Sequence, residues 1–246
     1  MQIVITMAGL GTRFRNAGYD MPKYEIKAHG NTLFFWSMSS LADFASPYTE
    51  LYFIVRKEDN TSELIKAEAA EVFGDYPENM HIIEIDELTD GQATTAMLAA
   101  PYWDKDDQLL IYNIDTYVKP NSIRKDLMVY FEGDGFIPCF KADGDHWSFV
   151  AIDDNGMATE VREKQRISDN CTIGAYWFSS CALYEQMYKE YYGAGANMEK
   201  GEKYVAPLYN HMISKGMKVG ISIIRDTDVH VLGTPEELKA FEEKKI

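Results

Sequence analysis

The sequence predicts an α/β fold: a single three-layer domain over residues 1–246, with a mixed, mostly parallel sheet. Three observations predict it. Apolar, β-branched runs at residues 2–7, 51–55 and 81–85 read as buried strands, and stretches of helical periodicity lie between them. That alternation belongs to parallel strands joined by crossover helices. The chain is also 46% hydrophobic and 13% aromatic, enough to bury a core rather than remain disordered.

Each element has its own local cause. The strand at 2–7 runs straight into the glycines at Gly9 and Gly11. Residues 24–27 alternate into a short extended piece that ends at His29-Gly30-Asn31. A helix then carries Leu33, Phe34, Trp36, Met38 and Leu41 on one broad face, with Asn31 or Thr32 as N-cap. Residues 63–73 form a helix through their alanines and the spacing of Leu64, Ala67 and Val72. After the third strand, residues 86–95 are a polar loop opening a helix through Ala99, for which Asp90 suffices as a cap. Residues 108–117 make an apolar strand with Asp115 at its carboxyl edge, where open parallel sheets bind ligands. Strands follow at 135–140 and 148–152, the second closing at Asp153-Asp154-Asn155-Gly156. Another strand at 171–178 contains Gly174. Helices are expected at 181–192 and 204–214, joined by a loop at 193–197. Pro207 is tolerated in a first turn, where its missing N–H has no partner to lose. A strand at 218–224 precedes a last strand from Val229, which turns at Gly233-Thr234-Pro235 into a terminal helix.

The first of these elements carries the chemistry. Ala8-Gly9-Leu10-Gly11-Thr12-Arg13 follows the opening strand, and Pro22-Lys23 comes shortly after. Glycines at alternate positions leave no Cβ between a phosphate chain and the backbone N–H groups. Arg13 can fork onto phosphate oxygens, and Lys23 adds a compact point charge. In a chain of formal net charge −15, the clustering of Arg13, Lys23 and Lys27 marks a local cationic pocket for a small anion.

Strand, Gly-x-Gly-Thr-Arg and downstream Pro-Lys together resemble the signature of the pyrophosphorylases, the nucleotidylyltransferases that activate sugar phosphates and related metabolites. The resemblance covers nearly the whole chain and leaves nothing for the hexapeptide-repeat domain that some relatives append. It implies a three-layer, Rossmann-like nucleotidyltransferase fold with a small acceptor-side lobe at about residues 135–178. It also implies a reaction. An NTP and a sugar, polyol or amino-alcohol phosphate would give a nucleoside diphosphate-linked product and pyrophosphate, for surface polysaccharide precursor synthesis. By this resemblance Ala8, Gly9, Gly11, Thr12, Arg13 and Lys23 hold the triphosphate, and Gly91 and Gln92 meet the base, with Asp86 leading into that loop. Asp115 matches the family's metal-binding aspartate, with Mg²⁺ as the cation, since Mg²⁺ takes few protein oxygens plus phosphates and water. Glu163-Lys164 matches a Glu-Lys motif whose glutamate binds the sugar and whose lysine binds the acceptor phosphate, and Gly174 allows that substrate close approach. Arg13, Lys23, Asp115 and Lys164 are the implied catalytic set. One departure stands out. Many members carry a second metal-binding aspartate two residues before Gly-Thr, where this chain has Val231; either Asp228 or Asp226 replaces it through a bend, or a single carboxylate suffices, with Asp228 taken as the candidate.

Composition narrows the partners. The acidic balance argues against nucleic acid and membrane surfaces, both polyanionic. Cys139, Cys171 and Cys181 show no metal-ligand spacing and are expected as buried thiols. No run approaches the ~20 apolar residues of a membrane span, and the chain starts directly in a strand without a leader pattern, so a cytoplasmic enzyme is expected. The expected partners are an NTP and a small phosphorylated metabolite, with a homo-oligomer left open. Two other functions compete. A GT-A-like glycosyltransferase would use Asn113-Ile114-Asp115 as a degraded Asp-x-Asp, but a diphosphate donor needs no triphosphate cradle. A non-catalytic nucleotide-binding homologue would suit Val231, and the intact Arg13, Lys23 and Asp115 argue against it. For the base, Asp86 and Glu87 only accept hydrogen bonds. A carboxylate aimed there favours the amino group of cytosine and hence CTP, with Gln92 as a competing reader of uracil or thymine.

Overall fold

The computed structural model describes every residue except Asp75, Tyr76, Ala194, Ala196, Lys200 and Ile246; the last two alanines of that set fall in the loop expected at 193–197. The chain begins with β1 (Gln2–Thr6), α1 (Thr12–Asn16), the short pair β2 (Lys27–Ala28) and β3 (Asn31–Thr32), and α2 (Leu33–Ser39). It continues through β4 (Glu50–Arg56), α3 (Ser62–Phe73), β5 (Met80–Ile85), α4 (Gln92–Met97), β6 (Leu109–Asn113), β7 (Thr116–Val118) and α5 (Lys125–Val129). The second half holds β8 (Gly135–Lys141), β9 (Ser148–Ile152), β10 (Ala158–Glu163), β11 (Asn170–Thr172), β12 (Ala175–Phe178) and α6 (Cys181–Tyr192). Last come α7 (Ala206–Ser214), β13 (Val219–Ile223), β14 (Val229–Val231) and α8 (Pro235–Glu242).

β5, β4, β1 and β6 lie side by side in parallel. β12 joins β6 to β8 with antiparallel pairing on both sides, and β13 lies parallel along the other edge of β8. β11 continues past β12 along β8 and opens antiparallel into β9 and then β10. By direction, β1, β4, β5, β6, β8, β9 and β13 run one way and β10, β11 and β12 the other. The sheet is mixed and mostly parallel, as expected.

Alternation along the strands makes the three layers. Ile3, Ile5, Leu51, Phe53 and Val55 pack one face against Phe34 and Met38 of α2 and Ile65 and Ala69 of α3. Val4, Tyr52 and Ile54 pack the opposite face against Ala93 and Ala96 of α4, Tyr184 and Met187 of α6, and Leu208 of α7. A third cluster gathers Phe14, Ile26, Ala28, Leu33, Tyr117, Leu232, Leu238 and Phe241. It clamps α1, which follows the glycine loop, to α8, which follows the Gly-Thr-Pro turn. All three cysteines are buried and free. Among the described residues, no helix is long and apolar enough to cross a membrane.

Four local expectations are corrected. Only the second half of residues 24–27 is extended; Lys23–Glu25 form a 3₁₀ turn behind Pro22, with Glu25 N–H bonded to the Pro22 carbonyl at 3.0 Å, and the extended backbone begins at Ile26 and leads into β2. The 108–117 strand breaks after Asn113, so Asp115 stands in a corner between β6 and β7. The 171–178 strand breaks at Ile173-Gly174 into β11 and β12. The last helix of the pair starts at Ala206, which leaves Tyr204 outside it.

Candidate active site

A cleft of about 650 Å³ opens at the carboxyl ends of β1 and β6, reached from one side by the glycine loop and from the other by β10 and β11. Ala8, Gly9, Thr12 and Arg13 line its first wall. Gly11 caps α1 just behind them, where a Cβ would meet Lys23 Cβ at 3.7 Å. The 3₁₀ turn aims Lys23. Its neighbour Tyr24 is buried and donates to Asp59 Oδ2 at 3.0 Å, which anchors the turn in the core. The Lys23 side chain, only 15% exposed, then pairs through Nζ with Asp115 Oδ1.

The second wall is the loop after β5. Gly91 has φ +135°, and a Cβ there would lie 2.5 Å from both the nitrogen and the oxygen of Lys203, so a side chain is excluded by backbone. That close approach carries two hydrogen bonds, Lys203 N–H to Asp90 O at 2.7 Å and Ala93 N–H to Lys203 O at 2.9 Å. Asp90 does not cap α4. Its carboxylate accepts from Thr94 Oγ1 and pairs with Lys203 Nζ at 2.7 Å. Burial alone would raise the Asp90 pKa, but Lys203 and Thr94 hold it below the ordinary range. Gln92 reaches the cleft floor, where its amide donates to Asn113 Oδ1 and to Thr6 Oγ1, the latter at 3.3 Å. Gly174 makes room for that pair, since a Cβ on it would lie 2.7 Å from Asn113 Nδ2.

The third wall comes from β10. Glu163 ends the strand and accepts from Ser148 Oγ. Lys164 then takes a left-handed backbone (φ 51°), with its N–H donating to Trp147 O at 2.8 Å. This geometry turns its Nζ into the cleft, 3.2 Å from Glu163 Oε1 and 3.2 Å from the Tyr204 hydroxyl, 4.8 Å above the Tyr204 ring. Burial would lower the Lys164 pKa, but Tyr204 and Glu163 outweigh it and the ammonium is held above its ordinary range.

The fourth wall is the corner around Asp115. Leu232 N–H donates to Asp115 O at 2.7 Å, and β14 pairs with β7 so that Val231 faces Thr116. Val231, Gly233 and Glu237 line the cleft here.

The cleft therefore gathers Ala8, Gly9, Thr12, Arg13, Lys23, Gly91, Gln92, Asp115, Glu163, Lys164 and Gly174, as expected from sequence. Three expected residues lie outside its lining; Gly11, at the start of α1, is the nearest, just behind the first wall. Asp86 is at the end of β5 with its side chain 79% exposed and paired to Lys57 at 3.3 Å, because the loop turns inward only from Leu88. It does not face a base, and the preference for CTP loses its basis. Asp228 is buried in a 3₁₀ turn, where Arg225 Nε donates to it at 2.8 Å and Lys119 Nζ lies at 3.6 Å. Burial would raise its pKa, but those two cations keep it low; it is a structural anion and lies outside the corner around Asp115. Asp226 is exposed and also outside the cleft. Sequence reasoning passed over Asn113, Glu237, Lys203 and Tyr204. Only Asn113 carried a usable signal, as the residue that ends the strand before Asp115.

No protein-family model and no curated protein matches the chain. Among solved structures, the nucleoside-diphosphate-sugar pyrophosphorylase from Vibrio cholerae RC9 is 34% identical with a TM-score of 0.88, and the match covers 98% of this chain and 100% of that one. The chain belongs to the sugar-phosphate nucleotidyltransferase, or pyrophosphorylase, family. The inositol-1-phosphate CTP transferase from T. maritima shares the fold at 14% identity and a TM-score of 0.71, covering 100% of this chain and 97% of its own. Within the pyrophosphorylase frame, the glycine loop and Pro-Lys occupy one side of the cleft and the Glu-Lys pair the other.

Proposed function

We propose that this pyrophosphorylase-family chain transfers the nucleotidyl group of an NTP to the phosphate of a small phosphorylated metabolite and releases pyrophosphate. The observation that carries the proposal is the opposition, in one cleft, of a glycine loop with Arg13 and Lys23 to a separately built lysine, Lys164. A ligand with phosphates at both ends of the reacting bond needs both. An acceptor phosphate oxygen is already a nucleophile at neutral pH, so no general base is required. It attacks the α-phosphorus, the α–β bridge breaks, and the electron pair leaves with pyrophosphate. Arg13 and Lys23 hold the departing phosphates, Lys164 aligns the acceptor phosphate, and Glu163 with Ser148 presents acceptors and a donor to its hydroxyl groups. Catalysis is then positioning with charge neutralisation in a shielded site.

Mg²⁺, which the family implies, suits the donor chemistry at Asp115, a hard carboxylate whose Oδ1 meets Lys23 and whose Oδ2 borders the space that the missing Gly233 side chain leaves. Bound there, the cation would neutralise charge on the phosphates. Mg²⁺ dependence, a place in surface polysaccharide precursor synthesis, residues 135–178 as the acceptor-side lobe, a cytoplasmic location and a homo-oligomeric assembly belong to the same proposal. The test is pyrophosphate release from each of the four NTPs and dTTP, with a panel of sugar, polyol and amino-alcohol phosphates. At least one pair should release pyrophosphate in an acceptor-dependent manner. Release from none, with Mg²⁺ or Mn²⁺ supplied, refutes the reaction.

A further inference from the structure

We propose that Glu237 is the second carboxylate for the divalent cation, in the role that Val231 leaves without a donor. The proposal rests on the nucleotidyl-transfer reading above and deepens it. Val231 occupies the wall beside Asp115, tied there by its pairing with Thr116, but an isopropyl group offers a cation nothing. The chain passes Gly233 and enters α8, and Glu237 stands on the first turn. Its backbone N–H donates to Thr234 Oγ1 at 3.2 Å, and the same helix buries Leu238 and Phe241 to 2% exposure each. Glu237 is thus held in place from both sides of its own residue.

Gly233 shows where the carboxylate goes. A Cβ on it would lie 3.4 Å from Glu237 Oε2 and 3.7 Å from Asp115 Oδ2, so both oxygens border the space that the missing Gly233 side chain leaves. Asp115 Oδ1 is already engaged by Lys23, which leaves Oδ2 and Glu237 Oε2 on the open side of the corner. The neighbouring imidazole, His146, has its Nε2 3.9 Å from Glu237 Oε1, beyond hydrogen-bond length. Two carboxylates facing one point repel each other unless a cation lies between them, and a divalent ion turns the repulsion into attraction. Two carboxylate oxygens completed by phosphates and water form the donor set that Mg²⁺ favours.

The test is a Mn²⁺ titration of the full chain without nucleotide, followed by electron paramagnetic resonance of the free ion. Glu237→Gln keeps the size and the cap and should weaken Mn²⁺ binding about tenfold, with Asp115→Asn at least as damaging. Val231→Asp added to the Glu237→Gln chain should restore it, which a merely structural role for Glu237 would not allow. In the wild-type chain, substoichiometric Mn²⁺ should broaden the amide resonances of Gly233 and Glu237, a measurement that needs no variant. Wild-type Mn²⁺ affinity in Glu237→Gln, or unbroadened Gly233 and Glu237 amides, overturns the assignment. Failure of the transfer reading is distinguishable, because Mn²⁺ binding requires no turnover. Glu237-dependent Mn²⁺ binding with no pyrophosphate release from any substrate pair overturns the reaction alone; release with Glu237-independent Mn²⁺ binding overturns the ligand alone.

Discussion

Gly91→Ala should uncouple the two substrate walls of the cleft, and its size follows from the contacts at Gly91. The new methyl would sit 2.5 Å from Lys203 N and O, and backbone atoms cannot yield as a flexible side-chain tip can. A non-glycine residue at φ +135° is strained by about 1–3 kcal/mol. Relieving the overlap means withdrawing Lys203, which breaks its two backbone hydrogen bonds to Asp90 and Ala93, each worth about 1 kcal/mol net. The Lys203–Asp90 ion pair adds little, because Asp90 is partly exposed and solvent screens it. The total is about 3–5 kcal/mol, which for a chain of this length lowers Tm by about 10 °C. Function should change on the far wall as well. Tyr204 moves with Lys203, so Lys164 loses its hydroxyl partner and the acceptor KM rises along with that of the NTP. Differential scanning calorimetry and steady-state kinetics on the same preparation check both. A Tm within about 2 °C of wild type, with both KM values unchanged, would refute the role assigned to this contact.

Three further outcomes follow from the site and its surroundings. Lys23→Ala should cut turnover by at least about a hundredfold with folding retained, since it removes a shielded charge from the phosphates and leaves Asp115 without its ammonium; unchanged pyrophosphate release would remove Lys23 from the site. Tyr204→Phe keeps the ring over Lys164 and deletes the hydroxyl, so it should raise the acceptor KM while leaving the NTP KM near wild type; equal effects on both would deny Tyr204 a positioning role. His230 is 7% exposed with its Nε2 unpartnered, and burial, then Lys244 and Lys119, push its pKa down from 6.5 to about 4. The folded value is depressed, so this stability is complete above the unfolded pKa and is lost as pH falls from 6.5 toward 4. The loss is about 2 kcal/mol at pH 5. His230→Phe should therefore flatten the acid limb of a Tm-versus-pH curve between pH 6.5 and 4, and an unaltered limb would place the acid sensitivity elsewhere.

What was legible in the sequence was local. The strand from Gln2, the glycine loop, Arg13 and Lys23 lie within two dozen residues, and their backbone requirements are written in glycine and proline. Glu163-Lys164 was legible for the same reason, although the left-handed turn that aims Lys164 was not. The residues missed or misplaced depend on long-range approach. Tyr204 reads as the start of a helix, yet the docking of Lys203 on Gly91, more than a hundred residues earlier, pulls it out of helical register and over Lys164. Asp86 and Asp228 have the right residue type at nearly the right place. Lys57 takes the first and Arg225 with Lys119 takes the second, and no spacing rule reveals those cations.

The acidic balance of the chain also makes more sense with the structure. The lysines that line the cleft, and Lys203 behind its second wall, are each paired with a carboxylate: Lys23 with Asp115, Lys164 with Glu163, Lys203 with Asp90. Such pairs have low net charge, so the cleft does not attract polyanions indiscriminately, while the ammonium groups stay fixed in position. Fixed cations favour a ligand whose phosphates match their spacing over one that only carries charge. In the proposed reaction an incoming triphosphate would take Lys23 from Asp115, and the freed carboxylate would then need another cation, since an unpaired charge in a shielded site is costly. A divalent ion bound at Asp115 would supply that charge, so that neither the carboxylate nor the phosphates would be left unpaired.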